Sequence, residues 1–149
     1  MANQLITKAL NLAKKAHAGQ TDKAGNDYFE HHILHLFNAV GGYEAEPIEK
    51  AIVAILHDVV EDSEVTVEEI EREFGKTVAD AVDALSKTEA TQKYDLDYIY
   101  TVKSNPLARE VKKEDLRHNM NLGRLPAITE SDRERVAIYE EYFEILKGK

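Results

Sequence analysis

The chain has 149 residues, with 19 Lys and Arg against 28 Asp and Glu, a formal charge of −9, and no cysteine. That length and a hydrophobic fraction of 43% make one globular domain over residues 1–149 the expectation and exclude disordered or fibrous classes. Without Cys there are no disulfides, thiolate zinc sites or cysteine nucleophiles, so His, Asp and Glu are the metal ligands to look for; the acidic total argues against a nucleic-acid partner.

Leu5, Ile6, Ala9, Leu10, Ala13 and Ala16 recur at steps of three and four and predict an amphipathic first helix. No apolar run is long enough for a membrane span and the N-terminus lacks a signal-peptide core, so a soluble, cytoplasmic protein with no membrane partner is expected. A loop over 19–27 precedes a helix over 29–40 that Gly41 and Gly42 stop. Pro47 predicts the first turn of the next helix, whose Ile48, Ala51, Ile52, Ala54, Ile55, Leu56, Val59 and Val60 are apolar nearly all round and place it centrally. Thr66 with Glu69 reads as a capping box for a helix over 67–74, ended by Gly75, and 77–86 continues as another. After a polar loop over 87–93, Leu96, Ile99 and Tyr100 predict a short helix, and Asn105-Pro106 opens one that runs to about Leu122. Ser131 with Glu134 reads as a second capping box, before a last helix striped by Val136, Tyr139, Phe143 and Leu146. No segment alternates as a strand does, and there is no repeat or linker. The expected fold class is all-α, a compact helical bundle.

The acidic excess lies between residues 41 and 73, where eleven acids meet two bases. Within it, His57-Asp58 ends the most apolar helix, where an ionised carboxylate is costly to bury without a partner. Asp115 belongs to a second inward stripe with Ala108, Val111, His118 and Asn119. A third contribution comes from Phe29-Glu30-His31-His32-Ile33-Leu34-His35, of which one His need be a ligand. One such His, His57, Asp58 and Asp115 supply two imidazoles and two carboxylates, a set suited to Mn²⁺, Fe²⁺ or Zn²⁺.

The order His, His-Asp, Asp resembles the HD-domain metal phosphohydrolases. The wording is similar to the hydrolase domain of the RelA/SpoT-type alarmone enzymes and the small stand-alone hydrolases, in AHAGQ (16–20), KAGNDYFEHHI (23–33), AILHDVVED (54–62), TVEEIEREFGKTVADAV (66–82) and VKKEDLRHNMNL (111–122). The resemblance implies metal ligands His31, His57, Asp58 and Asp115 and the ion Mn²⁺. It implies Glu61 and Asp62 as the catalytic acid pair, and Lys23 and Asn119 as contacts to substrate phosphate or sugar. His17, His32 and His35 are then structural, and His118 stands beside the ligands.

The implied reaction is removal of the 3′-diphosphate of (p)ppGpp, a small-molecule nucleotide, giving GDP or GTP and pyrophosphate. Where those hydrolases carry a basic residue before the matching Lys this chain has Asp22, and where they commonly carry Thr three residues after the matching Asn it has Leu122. Two alternatives therefore stand: an HD phosphohydrolase of another nucleotide (a nucleoside monophosphate or phosphorylated dinucleotide), and a non-catalytic nucleotide-binding sensor. The acidic stretch predicts poor binding of a polyanion without metal. A homo-oligomer through the last helix or Tyr94, Tyr98 and Tyr100 is left open by the sequence.

Overall fold

Ile48–Leu56 (α3) lies at the centre because the run from Ala51 to Leu56 has no polar face to offer water, and every one of those side chains is buried. Full burial of one Ile or Leu contributes about 2 kcal/mol. The computed structural model describes residues 2–121, 125 and 127–148, apart from the side chain of Ala2.

Around α3 pack Ala2–Ala16 (α1), Leu34–Ala39 (α2), Lys76–Leu85 (α6) and Pro106–Asn119 (α8). Val59–Asp62 (α4) turns the chain after α3, and Val67–Phe74 (α5) lies along α6. Leu96–Ser104 (α7) and Glu130–Lys147 (α9) pack on each other and on the outer side of α8. Among the described residues there is no strand, only an isolated bridge between Thr21 and Asp27. No helix among them is long and apolar enough to cross a membrane.

Local chemistry accounts for several helix ends. Thr66 accepts from the Glu69 amide at 3.2 Å and opens α5, and Asn105 does the same for Ala108 at 3.0 Å with Pro106 in the first turn of α8. Gly41 adopts φ +119°, where a Cβ would stand 2.8 Å from the Ala45 backbone, so only glycine closes α2 this way.

Five details differ from the sequence reading. Pro47 is the N-cap of α3 and stands one residue before its first turn. The capping box of α9 is formed by Thr129 and Asp132 instead of Ser131 and Glu134: Thr129 accepts from the Asp132 amide at 3.1 Å, and Asp132 accepts from the Thr129 amide at 2.9 Å. The face of α9 that is buried holds Asp132, Tyr142 and Leu146, with Val136, Tyr139 and Phe143 half-buried beside it. Tyr98 is buried and donates to the Leu85 carbonyl at 2.7 Å, so of the three tyrosines considered for an oligomer surface only Tyr94 and Tyr100 are exposed. α8 ends at Asn119, and Leu122 lies outside the described residues.

Candidate metal centre

The first histidine comes from an irregular turn. Phe29–Ile33 is a π-helical turn leading into α2, with the Leu34 amide donating to the Phe29 carbonyl five residues back. Phe29, Ile33, Leu36 and Phe37 are its buried apolar side chains, and His32 falls on that same face. His32 is 3% exposed, whereas His31, two residues from Phe29, faces outward and is exposed, as is His35. The expectation of His31 as the ligand is thus corrected by the geometry: the adjacent His32 faces the HD pair. The apolar spacing carried this signal, because positions 29, 32, 33 and 36 share one helical face and position 31 does not.

His57 caps the buried end of α3, and Asp58 begins α4. Asp115 projects inward from α8 and is 6% exposed. His57 Nε2 stands 3.0 Å from Asp58 Oδ2, 3.3 Å from His32 Nε2 and 3.7 Å from Asp115 Oδ1. His32 Nε2 stands 2.9 Å from Asp115 Oδ1 and 3.8 Å from Asp58 Oδ2. Donors held about 2.1 Å from a common ion lie about 3.0 to 3.4 Å apart, so these separations suit one coordination shell. Ligand atoms of His32, His57 and Asp58 all fall within 4.8 Å of one another, and Asp115 adjoins them.

The neighbours orient these donors. His57 Nδ1 lies 2.7 Å from the Ala54 carbonyl, which can only accept, so Nδ1 keeps its hydrogen and Nε2 is the nitrogen that would ligate a cation on giving up its proton. His32 Nδ1 lies 2.8 Å from His118 Nδ1, and the His118 ring stacks on exposed His35 at 4.2 Å between centroids. Tyr28 donates its hydroxyl to Asp58 Oδ2. Asp115 Oδ2 takes Lys112 Nζ at 3.1 Å, and its Oδ1 takes the Asn119 amide at 3.0 Å. Burial alone would push the His57 imidazole down, but the charge of Asp58 and hydrogen bonds to Asp115 and Asp58 hold it well above its ordinary value. Burial works against the Asp115 charge too, yet Lys112 and the two imidazoles keep its carboxyl well below the usual range. The donor set therefore attracts positive charge strongly, and it fits a divalent cation.

A pocket of about 130 Å³ opens on this cluster, lined by His57, Asp58 and Asp115 together with Glu61, Lys87 and Lys112. Burial pushes the Glu61 carboxyl up, opposed by its hydrogen bond from the Lys87 amide. Asp62 does not line the pocket; it faces the segment after α1, where Gln20 donates to it at 3.1 Å. A second cleft of about 250 Å³ adjoins the first, sharing Tyr28, Asn119 and Tyr139 and adding Asp22, Lys23 and Arg135. Arg135 and Lys23 both approach Asp132 Oδ1, at 2.6 and 3.7 Å. Asp22 Oδ1 accepts from the Ala24 and Asn26 amides at 2.9 Å each and so shapes the loop that carries Lys23.

Of the residues singled out from the sequence, His57, Asp58, Glu61, Asp115 and Asn119 line one pocket, Lys23 stands in the adjoining cleft, and His31 is apart. Tyr28, His32, Lys87, Lys112, Asp132, Arg135 and Tyr139 were not anticipated. His32 had a legible signal in the apolar face of Phe29, Ile33 and Leu36, and Lys112 in standing one turn before Asp115 on an inward face; the other positions depend on how separate helices meet.

Comparison with known proteins places this geometry. The profile of the HD domain matches residues 9–126. A guanosine-3′,5′-bis(diphosphate) 3′-pyrophosphohydrolase from Vibrio cholerae is 40% identical over 87 residues, 56% of this chain and 12% of that protein. The bifunctional (p)ppGpp synthase/hydrolase SpoT of Escherichia coli is 38% identical over 85 residues, 55% of this chain and 11% of its own length. A probable chloroplastic GTP diphosphokinase of Oryza sativa is 32% identical over 121 residues, 80% of this chain and 16% of that protein. The chain thus spans only 11–16% of these relatives. A solved structure of a metazoan ortholog of SpoT, described as hydrolysing ppGpp and playing a role in starvation responses, superposes with a TM-score of 0.77 over 97% of this chain and 86% of that one at 21% identity, a likeness of fold.

Proposed function

The chain belongs to the HD-domain family, and on that premise we propose that it is a divalent-metal-dependent phosphohydrolase whose substrate is (p)ppGpp, cleaved at the 3′-diphosphate. The observation that carries the reading is the continuity of two pockets: three of the four metal-type donors, His57, Asp58 and Asp115, line one, with His32 beside them, and two cations flanked by tyrosines line the next. His32, His57, Asp58 and Asp115 would hold the ion, Mn²⁺ first, with Fe²⁺ or Zn²⁺ suited to the same donors. When bound, a divalent cation lowers the pKa of water and polarises a phosphoryl oxygen.

The chain's own residues supply the rest. Water adds to the phosphorus attached to the 3′ oxygen, the bond to that oxygen breaks, and pyrophosphate leaves. Glu61, whose carboxyl is raised by burial, exchanges a proton with the attacking water or the departing oxygen. Lys87 and Lys112 face the diphosphate from the pocket wall. Lys23 and Arg135 receive the 5′ phosphates in the second cleft, and Tyr28 and Tyr139 flank the nucleoside between them. Two Asp115 neighbours, Lys112 and Asn119, keep that ligand from rotating.

Products formed from ppGpp, pGpp, nucleoside monophosphates and NADPH in the presence of Mn²⁺, with Asp58→Ala in parallel, test the reading. GDP and pyrophosphate from ppGpp, lost in the variant, are the expected result. Asp22 favours a second reading, since a carboxylate in the outer cleft cannot stack on guanine as a guanidinium does. Turnover confined to a monophosphate or to NADPH would establish that one, and metal binding without any turnover would leave a sensor.

A further inference from the structure

Behind the two cations of the outer cleft lies a buried carboxylate. Asp132 is 5% exposed and is not among the side chains that line the cleft, whereas Lys23 and Arg135 are. Its two oxygens are divided between helix and cleft. Oδ2 accepts from the Thr129 amide at 2.9 Å and so closes the capping box of α9, while Oδ1 takes Arg135 Nη2 at 2.6 Å and faces Lys23 Nζ at 3.7 Å. The Thr129 amide and Arg135 hold its carboxyl well below the usual carboxylate range, so it carries a charge at neutral pH.

The two ion contacts are unequal. The Arg135 side chain is 20% exposed and makes a short, charge-assisted hydrogen bond within α9, whereas Lys23 reaches over from the 19–27 loop, is largely in water and is held loosely. A guanidinium carries five N–H groups, so Arg135 can keep its bond to Asp132 and still present others to the cleft that it lines. The charges balance: Lys23 and Arg135 bring two positive ones, and Asp22 on the cleft wall and Asp132 behind it bring two negative ones. A cleft that is cationic by its two basic side chains is thus close to neutral as a group, and charges this near one another are felt together by a ligand at about one Debye length or less.

We propose that Asp132 is a positioning residue that determines specificity: by fixing Arg135 from behind and offsetting its charge, it keeps the outer cleft from favouring long 5′ polyphosphates. The inference rests on the reading that the 5′ phosphates of a nucleotide enter this cleft. Each further phosphate adds about one negative charge that the balanced cleft does not offset, so the parent chain separates 5′ mono-, di- and triphosphates weakly. With a neutral side chain in place of Asp132, Arg135 and Lys23 meet the phosphates with uncompensated charge, and the attraction grows with every phosphate added. Asp132 acts on that choice without touching substrate.

The test compares the parent with Asp132→Asn and Asp132→Glu, all loaded with Mn²⁺. Asparagine keeps an oxygen for the Thr129 amide and removes the charge. Calorimetric titration with GMP and with GTP gives each protein an affinity ratio, and comparing that ratio between proteins cancels the nucleotides' own affinity for Mn²⁺. The GTP-to-GMP ratio is expected to rise about three- to tenfold in Asp132→Asn at low salt, to fall back toward the parent value at high salt, and to stay within about twofold of the parent in Asp132→Glu. Glu68→Gln, the same change of charge at an exposed position on α5 outside both pockets, should leave the ratio unmoved. Loss of the capping box alone would weaken both nucleotides together, so a ratio that is unchanged or lowered in Asp132→Asn overturns the proposal, as does a rise shared by Asp132→Glu or Glu68→Gln. Asp132→Ser, another neutral acceptor, carries the test where Asp132→Asn does not fold. A parent chain that binds neither nucleotide also overturns the proposal, whereas a shifted ratio in a protein inert to every 3′-phosphorylated nucleotide overturns only the phosphohydrolase reading.

Discussion

The two halves of the groove are built differently. The metal end is assembled from α3, α8 and the turn into α2, and its three most buried members, His32, His57 and Asp115, are 3%, 2% and 6% exposed. The outer cleft is assembled from the 19–27 loop and α9, with the Lys23 side chain 58% exposed and its cations gathered by Asp132. In the first region most of the donors are themselves buried and sit on the helices that make the core; in the second, a loop and an outer helix can vary while the bundle stays intact. On the proposed function, the chemistry of the site is tied to the fold and its choice of nucleotide is not.

The largest expected effect separates the adjacent histidines. His32→Ala should abolish tight Mn²⁺ binding and lower kcat/KM by about 1000-fold or more, while His31→Ala stays within about twofold. Titration calorimetry and turnover of the two proteins check this, and equal losses would refute the inward placement of His32. Next in size, Ile55→Ala in the shared core should destabilise the fold by about 3 kcal/mol, measured by urea unfolding, because it empties a site with no water access.

Smaller still, Lys23→Ala and Arg135→Ala should each raise KM about tenfold with kcat and Mn²⁺ affinity little changed. An equal drop in metal affinity would show that the two regions are not separate. Two effects of pH complete the series. His57 is held protonated in the metal-free protein, so loading Mn²⁺ near neutral pH should release about one proton, and affinity should rise with pH. Calorimetry in buffers of differing ionisation enthalpy reads that number. Asp132 is held below the usual carboxylate range by the Thr129 amide and Arg135. Its contribution to stability is present above about pH 4 and is lost as pH falls below it. Asp132→Asn should therefore flatten the acid limb of the melting-temperature profile.

Helix positions were legible because α3, α5, α6 and α8 bury regular stripes and carry ordinary caps, as with Thr66 and Asn105. The HD pair was legible for the opposite reason: polar groups at the end of an apolar run need a partner. His32 was misread because local wording outweighed the apolar face of Phe29, Ile33 and Leu36. Thr129 and Asp132 were misread because two overlapping box patterns lie two residues apart and both satisfy the spacing. Arg135 and Tyr139 join the site only through the packing of α9 on α8, a long-range fact that no local pattern encodes.

The widened turn at Phe29–Ile33 has a consequence for how this protein tolerates change. A π turn accommodates one residue more than an α-helix needs, and here the surplus sits beside two identical side chains. Replacing His32 empties the ligand position, but deleting it outright would let the turn relax to α geometry and slide His31 into the vacated place, with the 19–27 loop absorbing the slip. The tandem histidines should therefore make deletion of His32 milder than its replacement by Ala, which Mn²⁺ titration of the two proteins reads.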